Sequence, residues 1–116
     1  MTQPPDAYTA GLRQQHRDDP LEFFGKLLRE FFMNREDDQT IRAWTRMIHD
    51  NRWYTEDVIE CMQIVLANPP DNLVMLIQEN GWVMFPRPDA MNDEAYHALY
   101  LTWLSGSIQR LSAFLD

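Results

Sequence analysis

Glu94 and His97 stand three residues apart in "DEAYHALY", with the Glu-x-x-His spacing that facing helices use to hold a di-iron pair. Such a centre needs a second copy of the motif and two more glutamates from neighbouring helices. The chain has no second copy, so the pair reads as helix surface and no metal is expected. Cys61 is the only thiol. A nucleophilic cysteine needs an electropositive setting and a partner base. Cys61 instead has Val58 and Val65 as helical neighbours and an acidic turn before it, so it reads as a small buried hydrophobe. His16, His49 and His97 fall on three separate helical segments, and the four glycines are isolated. No serine elbow, phosphate-binding loop or dinucleotide fingerprint is present. The expectation is that the protein is not an enzyme and carries no cofactor.

What the chain does have is carboxylate. Acids number 18 against 10 bases, for a net charge of −8. Residues 1–52 carry nine acids and eight bases; residues 53–116 carry nine acids and only Arg87 and Arg110. Glu56, Asp57 and Glu60 form one acidic stripe, and Asp89, Asp93 and Glu94 form a second acidic edge. Acids near helix N-termini are expected on stability grounds alone, but that does not explain the missing bases, because solvated helices usually mix both signs. Helices over 55–67, 71–80 and 92–104 contain no Lys or Arg. Side by side, they would project a sustained negative potential. This sign excludes direct nucleic-acid binding and suits a basic partner. Trp82, at a helix end between the two acidic groups, is the candidate apolar anchor, since aromatic residues are enriched at interface centres.

The elements that must position these residues are helical throughout. Asp6 can cap a helix from Ala7 to about Arg17. Asp19 at N-cap with Pro20 at N1 starts the next, whose apolar face is Leu21, Phe24, Leu27, Leu28, Phe31 and Phe32. Asp38 can cap a third, with Ile41, Trp44, Thr45 and Ile48 at core spacing. Thr55 caps a fourth, which places Glu56 and Asp57 in its first turn. "LVMLI" after Asn68-Pro69-Pro70-Asp71 has no polar face and reads as a central, buried helix ending at Gly81 in the left-handed conformation. "WVMFPRP" is an extended connector or one short strand. Asp89 or Asn92 caps the last region, with Ala95, Leu99, Thr102 and Trp103 inward and a bend at Gly106. The expected fold is an all-α, compact bundle of five to seven short helices in one domain spanning 1–116, with 1–6 frayed. Its core is Phe24, Leu28, Trp44, Ile48, Met62, Leu66, Leu73, Ile77 and Leu99. The echo of Asp50-Asn51-Arg52-Trp53 in Glu79-Asn80-Gly81-Trp82 suggests stacked helical hairpins.

A single cysteine points to a reducing, cytoplasmic compartment. No secretory signal is visible, and the longest apolar run, Leu73 to Ile77, is too short to cross a bilayer, so no membrane partner is expected.

The acidic helical character and the segment from Ile48 through "HDNRWYTEDVIECMQIVLANPPDNLVMLIQENGWVMF" to Phe85 resemble immunity proteins of bacterial contact-dependent growth inhibition systems; the likeness covers roughly residues 20–105. It implies a bacterial cytoplasmic protein that binds and neutralises one cognate toxin, often a nuclease domain. No residue role carries over by position, so the expected contact residues are those of the charge argument: Glu56, Asp57, Glu60, Trp82, Asp89, Asp93 and Glu94. The alternative is a helical adaptor or secretion chaperone that holds a partner segment in an apolar groove built from methionines and "WVMF".

Overall fold

A computed structural model describes residues 7–33 and 37–113 of the chain. The expected cap at Asp6 lies outside them, as do the side chains of Asp38, Ile41 and Ile48. Among the described residues the protein is an all-α compact globule of six helices with no strand: α1 (Ala7–Asp18), α2 (Pro20–Phe31), α3 (Asp37–Asp50), α4 (Arg52–Ala67), α5 (Leu73–Gly81) and α6 (Asp93–Ala113). None of them is long and apolar enough to cross a membrane.

α2 and α4 form the centre. α2 packs against α1, α3, α4 and α5; α4 packs against α1, α2, α3 and α6; α6 also covers α5. The start of α2 follows from its sequence, because Asp19 accepts a hydrogen bond from the Glu22 amide at 3.2 Å and Pro20 opens the helix. Phe23, Phe24, Leu27, Leu28 and Phe31 are buried, whereas Leu21, expected on that face, is exposed. The periodic pattern admits either Leu21 or Phe23, and the larger ring takes the interior against His16 and Tyr54.

Four boundaries and faces differ from the sequence reading. α4 begins at Arg52, capped by Asn51, so Thr55 lies within the helix, where it is buried and donates its hydroxyl to the Asn51 carbonyl at 3.2 Å. α3 begins at Asp37, one residue before the expected cap; it buries Thr40, Trp44 and Met47, while Thr45 faces solvent. α5 buries one face only: Leu73 and Ile77 are inside, but Met75 is 54 % exposed. α6 is rotated about one residue from the expected inner face. Tyr96, Tyr100, Leu104, Ser107, Ile108 and Leu111 are buried, and Ala95, Leu99 and Thr102 are exposed. Apolar residues surround this helix, so periodicity could not choose a face. The tyrosines win because their rings fill the core while their hydroxyls find partners. Gly106 does not divide the helix, which runs unbroken for 21 residues.

The end of α5 departs from the expectation of a left-handed Gly81. Gly81 stays helical, and Trp82 adopts the left-handed conformation with φ 55°. Gly81 is needed for close approach: a Cβ there would meet Leu28 side-chain atoms at 3.3 and 3.4 Å and Phe32 Cβ at 3.6 Å. The left-handed turn therefore falls on the next residue.

Candidate functional site

Two surfaces carry the acidic residues singled out by the sequence, and the fold treats them differently. The first lies on α4. Because α4 is capped by Asn51, four residues before the expected cap at Thr55, Asp57 sits beyond its first turn and faces α1 and the interior. It is 3 % exposed, so it does not belong to the solvent-facing stripe that the sequence suggested. Arg13 Nε donates to Asp57 Oδ1 at 2.9 Å, and His16 Nδ1 donates to Asp57 Oδ2 at 3.0 Å. Glu56 lies 4.0 Å from Arg13 and 3.5 Å from Arg52, and Glu60 lies 3.3 Å from Arg17. Four basic groups from the front half of the chain thus converge on three carboxylates. The expectation of a shared field from three base-free helices is corrected at α4, where opposite charges within 4 Å cancel most of the local potential.

The rings around this cluster complete it. His16 stacks on Phe23 with centroids 3.7 Å apart and planes 3° from parallel. The Arg13 guanidinium lies 5.8 Å from the centroid of Trp53. Tyr54 meets Phe23 edge-on and donates its hydroxyl to Glu30 at 3.0 Å. Burial and the negative charge of Glu30 push the Tyr54 hydroxyl well above its ordinary value. Cys61 is buried, with its thiol 3.2 Å from the Pro20 carbonyl. Burial, helped by the charges of Asp57 and Glu60, pushes that thiol up to about 12. It is a packing residue held in its inert form.

The second surface runs along α5, the connector 82–92 and the first turn of α6. Asp71, Met75, Glu79 and Trp82 follow one another at helical spacing, and all are exposed. Trp82 is 54 % and Met84 66 % exposed. Asp71, Glu79, Asp89 and Glu94 have no ion-pair partner among the described residues; Asp93 is held by Arg87 at 2.5 Å but remains open to solvent. Asn92, not Asp89, caps α6, accepting from the Ala95 amide at 2.8 Å.

This surface is braced from behind. The Tyr100 hydroxyl donates to the Val83 carbonyl at 3.0 Å and accepts from the Phe85 amide at 3.2 Å. The Tyr96 hydroxyl donates to the Phe85 carbonyl at 2.7 Å, and the Gln78 amide reaches both tyrosines at 3.1 and 3.0 Å. Arg87 lies over the Tyr96 ring, 5.0 Å from its centroid. Arg29 of α2 donates to Asn80 of α5. The backbone on either side of Met84 is therefore fixed without being part of a sheet. Sequence reasoning missed this network. Its only signal was the i, i+4 pair of tyrosines, which the expected inward face excluded.

Among the described residues, no group of three or more His, Cys, Asp or Glu side chains is placed to hold a metal ion, and Glu94 and His97 belong to no such group. No protein-family model, curated protein or solved structure matches the chain.

Proposed function

We propose that the protein is an immunity protein that binds one basic toxin domain, of the nuclease kind, and blocks it by surface contact. The observation that carries this reading is the second surface. Trp82 is half exposed and in a backbone conformation that costs a non-glycine residue roughly 1–2 kcal/mol. It caps the C-terminal end of α5, three residues after the unneutralised Glu79, while the unneutralised Asp71 lies just before the start of the same helix. An exposed aromatic ring at a helix end beside unpaired carboxylates has the composition of an interface centre rather than of an ordinary solvated surface. With α4 neutralised by α1, the excess charge of the back half is concentrated on α5, the connector and α6. That leaves Trp82, Asp89, Asp93 and Glu94 of the expected contact residues outside the α1–α4 ion pairs and exposed, joined by Asp71 and Glu79. Such a surface attracts a cationic protein over distance and then anchors it by burying the ring.

The test is co-purification with the basic C-terminal domain of an exported protein encoded beside this chain. Association should slow as salt rises. Reversing Glu79, Asp89 and Glu94 to lysine should reduce the on-rate and flatten that salt dependence, and unchanged kinetics would refute the surface assigned.

Met75, Trp82 and Met84, all more than half exposed, favour a second reading in which the same surface holds an apolar partner segment as an adaptor or chaperone. Binding would then depend little on salt, and an apolar dye would bind the free protein.

A further inference from the structure

The connector after Trp82 has one backbone side bonded and the other open. Pro86 and Pro88 hold Phe85 and Arg87 in extended backbone. Exposure alternates as in a strand: Trp82, Met84 and Pro86 are exposed, and Val83 and Phe85 are half-buried. In an extended chain the backbone groups of successive residues point to opposite sides. The bonded side belongs to residues 83 and 85. The Tyr100 hydroxyl joins the Val83 carbonyl to the Phe85 amide, at 3.0 and 3.2 Å, and the Tyr96 hydroxyl takes the Phe85 carbonyl at 2.7 Å. Two hydroxyls of α6 thus stand where a neighbouring strand would.

The open side belongs to Met84 and Pro86. The Met84 N–H, the Met84 carbonyl and the Pro86 carbonyl have no hydrogen-bond partner among the described residues. Met84 is 66 % exposed. A donor and acceptors held on a braced, exposed backbone are the pairing groups of an edge strand. The bracing orders this backbone before a partner arrives, which removes that cost from binding. Neither proline has an N–H, so pairing is confined to the stretch around Met84.

Charge selects what pairs there. Glu79 and Asp89 flank the edge in sequence and Glu94 follows; all three are exposed, with no ion-pair partner among the described residues. Arg87, the only base between Arg52 and Arg110, is held by Asp93 and the Met91 carbonyl. A second copy would bring like charges to the same edge, whereas a basic chain is attracted to it.

We propose that Met84 is the centre of a strand-pairing site, where an extended segment bearing lysine or arginine adds alongside the connector through the Met84 N–H and carbonyl. This site rests on the reading of the face as a partner surface, and adds backbone pairing to charge.

The probe is a labelled, end-capped nonapeptide of alternating lysine and threonine, titrated into the full chain at low ionic strength. Fluorescence anisotropy reads affinity, and NMR reads hydrogen exchange at the Met84 amide. In the free chain that amide should exchange rapidly while the Phe85 amide is protected. Saturating peptide should slow Met84 exchange at least about tenfold. Met84→Pro removes the N–H and suits extended backbone; it should bind the peptide about fivefold more weakly than Met84→Ala, which keeps the N–H. If Met84→Pro does not fold by circular dichroism, exchange in the wild-type chain still decides. Peptide that binds without protecting the Met84 amide, or binds both folded variants equally, would overturn strand pairing and leave the acidic-surface reading standing. Absence of peptide binding would also overturn it, while that reading keeps its own test with the toxin domain. Equal binding of a peptide with glutamine for lysine would overturn the basic occupant. Met84 protection that rises with protein concentration, without peptide, would assign the edge to a second copy instead.

Discussion

Arg13 Nε and Asp57 Oδ1 lie 2.9 Å apart, joining residues 44 positions apart in the chain. This contact turns an acid that reads as surface into part of the interior. It also pairs an α4 carboxylate with a base from the half of the chain that looked electrically balanced.

The pair should behave as a partly buried ion pair. Arg13→Met leaves Asp57 with His16 alone and should destabilise the fold by about 2 kcal/mol, below the 3–5 kcal/mol of a fully buried pair because Arg13 remains 21 % exposed. Asp57→Leu combined with Arg13→Met should recover part of that loss, since no charge is then stranded. Urea denaturation of the two single variants and the double variant closes the cycle.

Two glycines should respond with opposite signs. Gly81→Ala forces a Cβ to 3.3 Å from the fully buried Leu28 and should cost about 1–2 kcal/mol. Gly106→Ala meets nothing within 4 Å inside an unbroken helix and should stabilise by about 0.5–1 kcal/mol. Thermal melts of the two variants on either side of wild type would check both.

Cys61 should resist alkylation in the native protein. Its thiol is pushed from 9.0 up to about 12 by burial, so the folded form retains a proton that the unfolded form releases. Its contribution to stability is therefore fully present below pH 9 and is lost as pH rises from 9 towards 12. The Cys61→Ala variant should show a shallower loss of stability over that window, measured by denaturant midpoints at several pH values.

Tyr100→Phe removes one hydroxyl that serves the Val83 carbonyl, the Phe85 amide and Gln78. The loss should be about 1–3 kcal/mol. Hydrogen exchange should quicken at the Phe85 amide while the α2 and α4 amides keep their protection.

Trp82→Gly relieves the left-handed backbone and removes a half-exposed ring, so stability should stay within about 1 kcal/mol of wild type. If the ring anchors a partner, affinity for that partner should fall by about 2 kcal/mol or more. Calorimetry on the free protein and on the complex separates the two effects.

Local signals were sufficient where one residue type has one structural use. Asp19-Pro20 fixed the start of α2, and the apolar spacing of Phe24, Leu28, Trp44, Met62, Leu73 and Ile77 marked true core positions. They were insufficient where a helix is apolar on several sides. In α6, Leu99 and Tyr100 are equally good candidates for burial, and the choice depends on carbonyls of residues 83 and 85 that only the fold brings within reach. Leu66, expected in the core, is only partly buried against it.

By itself, the sequence determined that the chain is helical, where most helices break, and that its negative charge is excessive and unevenly distributed, because these depend on residue type and on neighbours within a turn or two. The tertiary structure alone decided which carboxylates remain anionic surface. Electrostatic potential is a sum over distance in space, and α1 brings Arg13, His16 and Arg17 to within 4 Å of α4 acids more than 40 residues away, while leaving Glu79, Asp89 and Glu94 uncompensated.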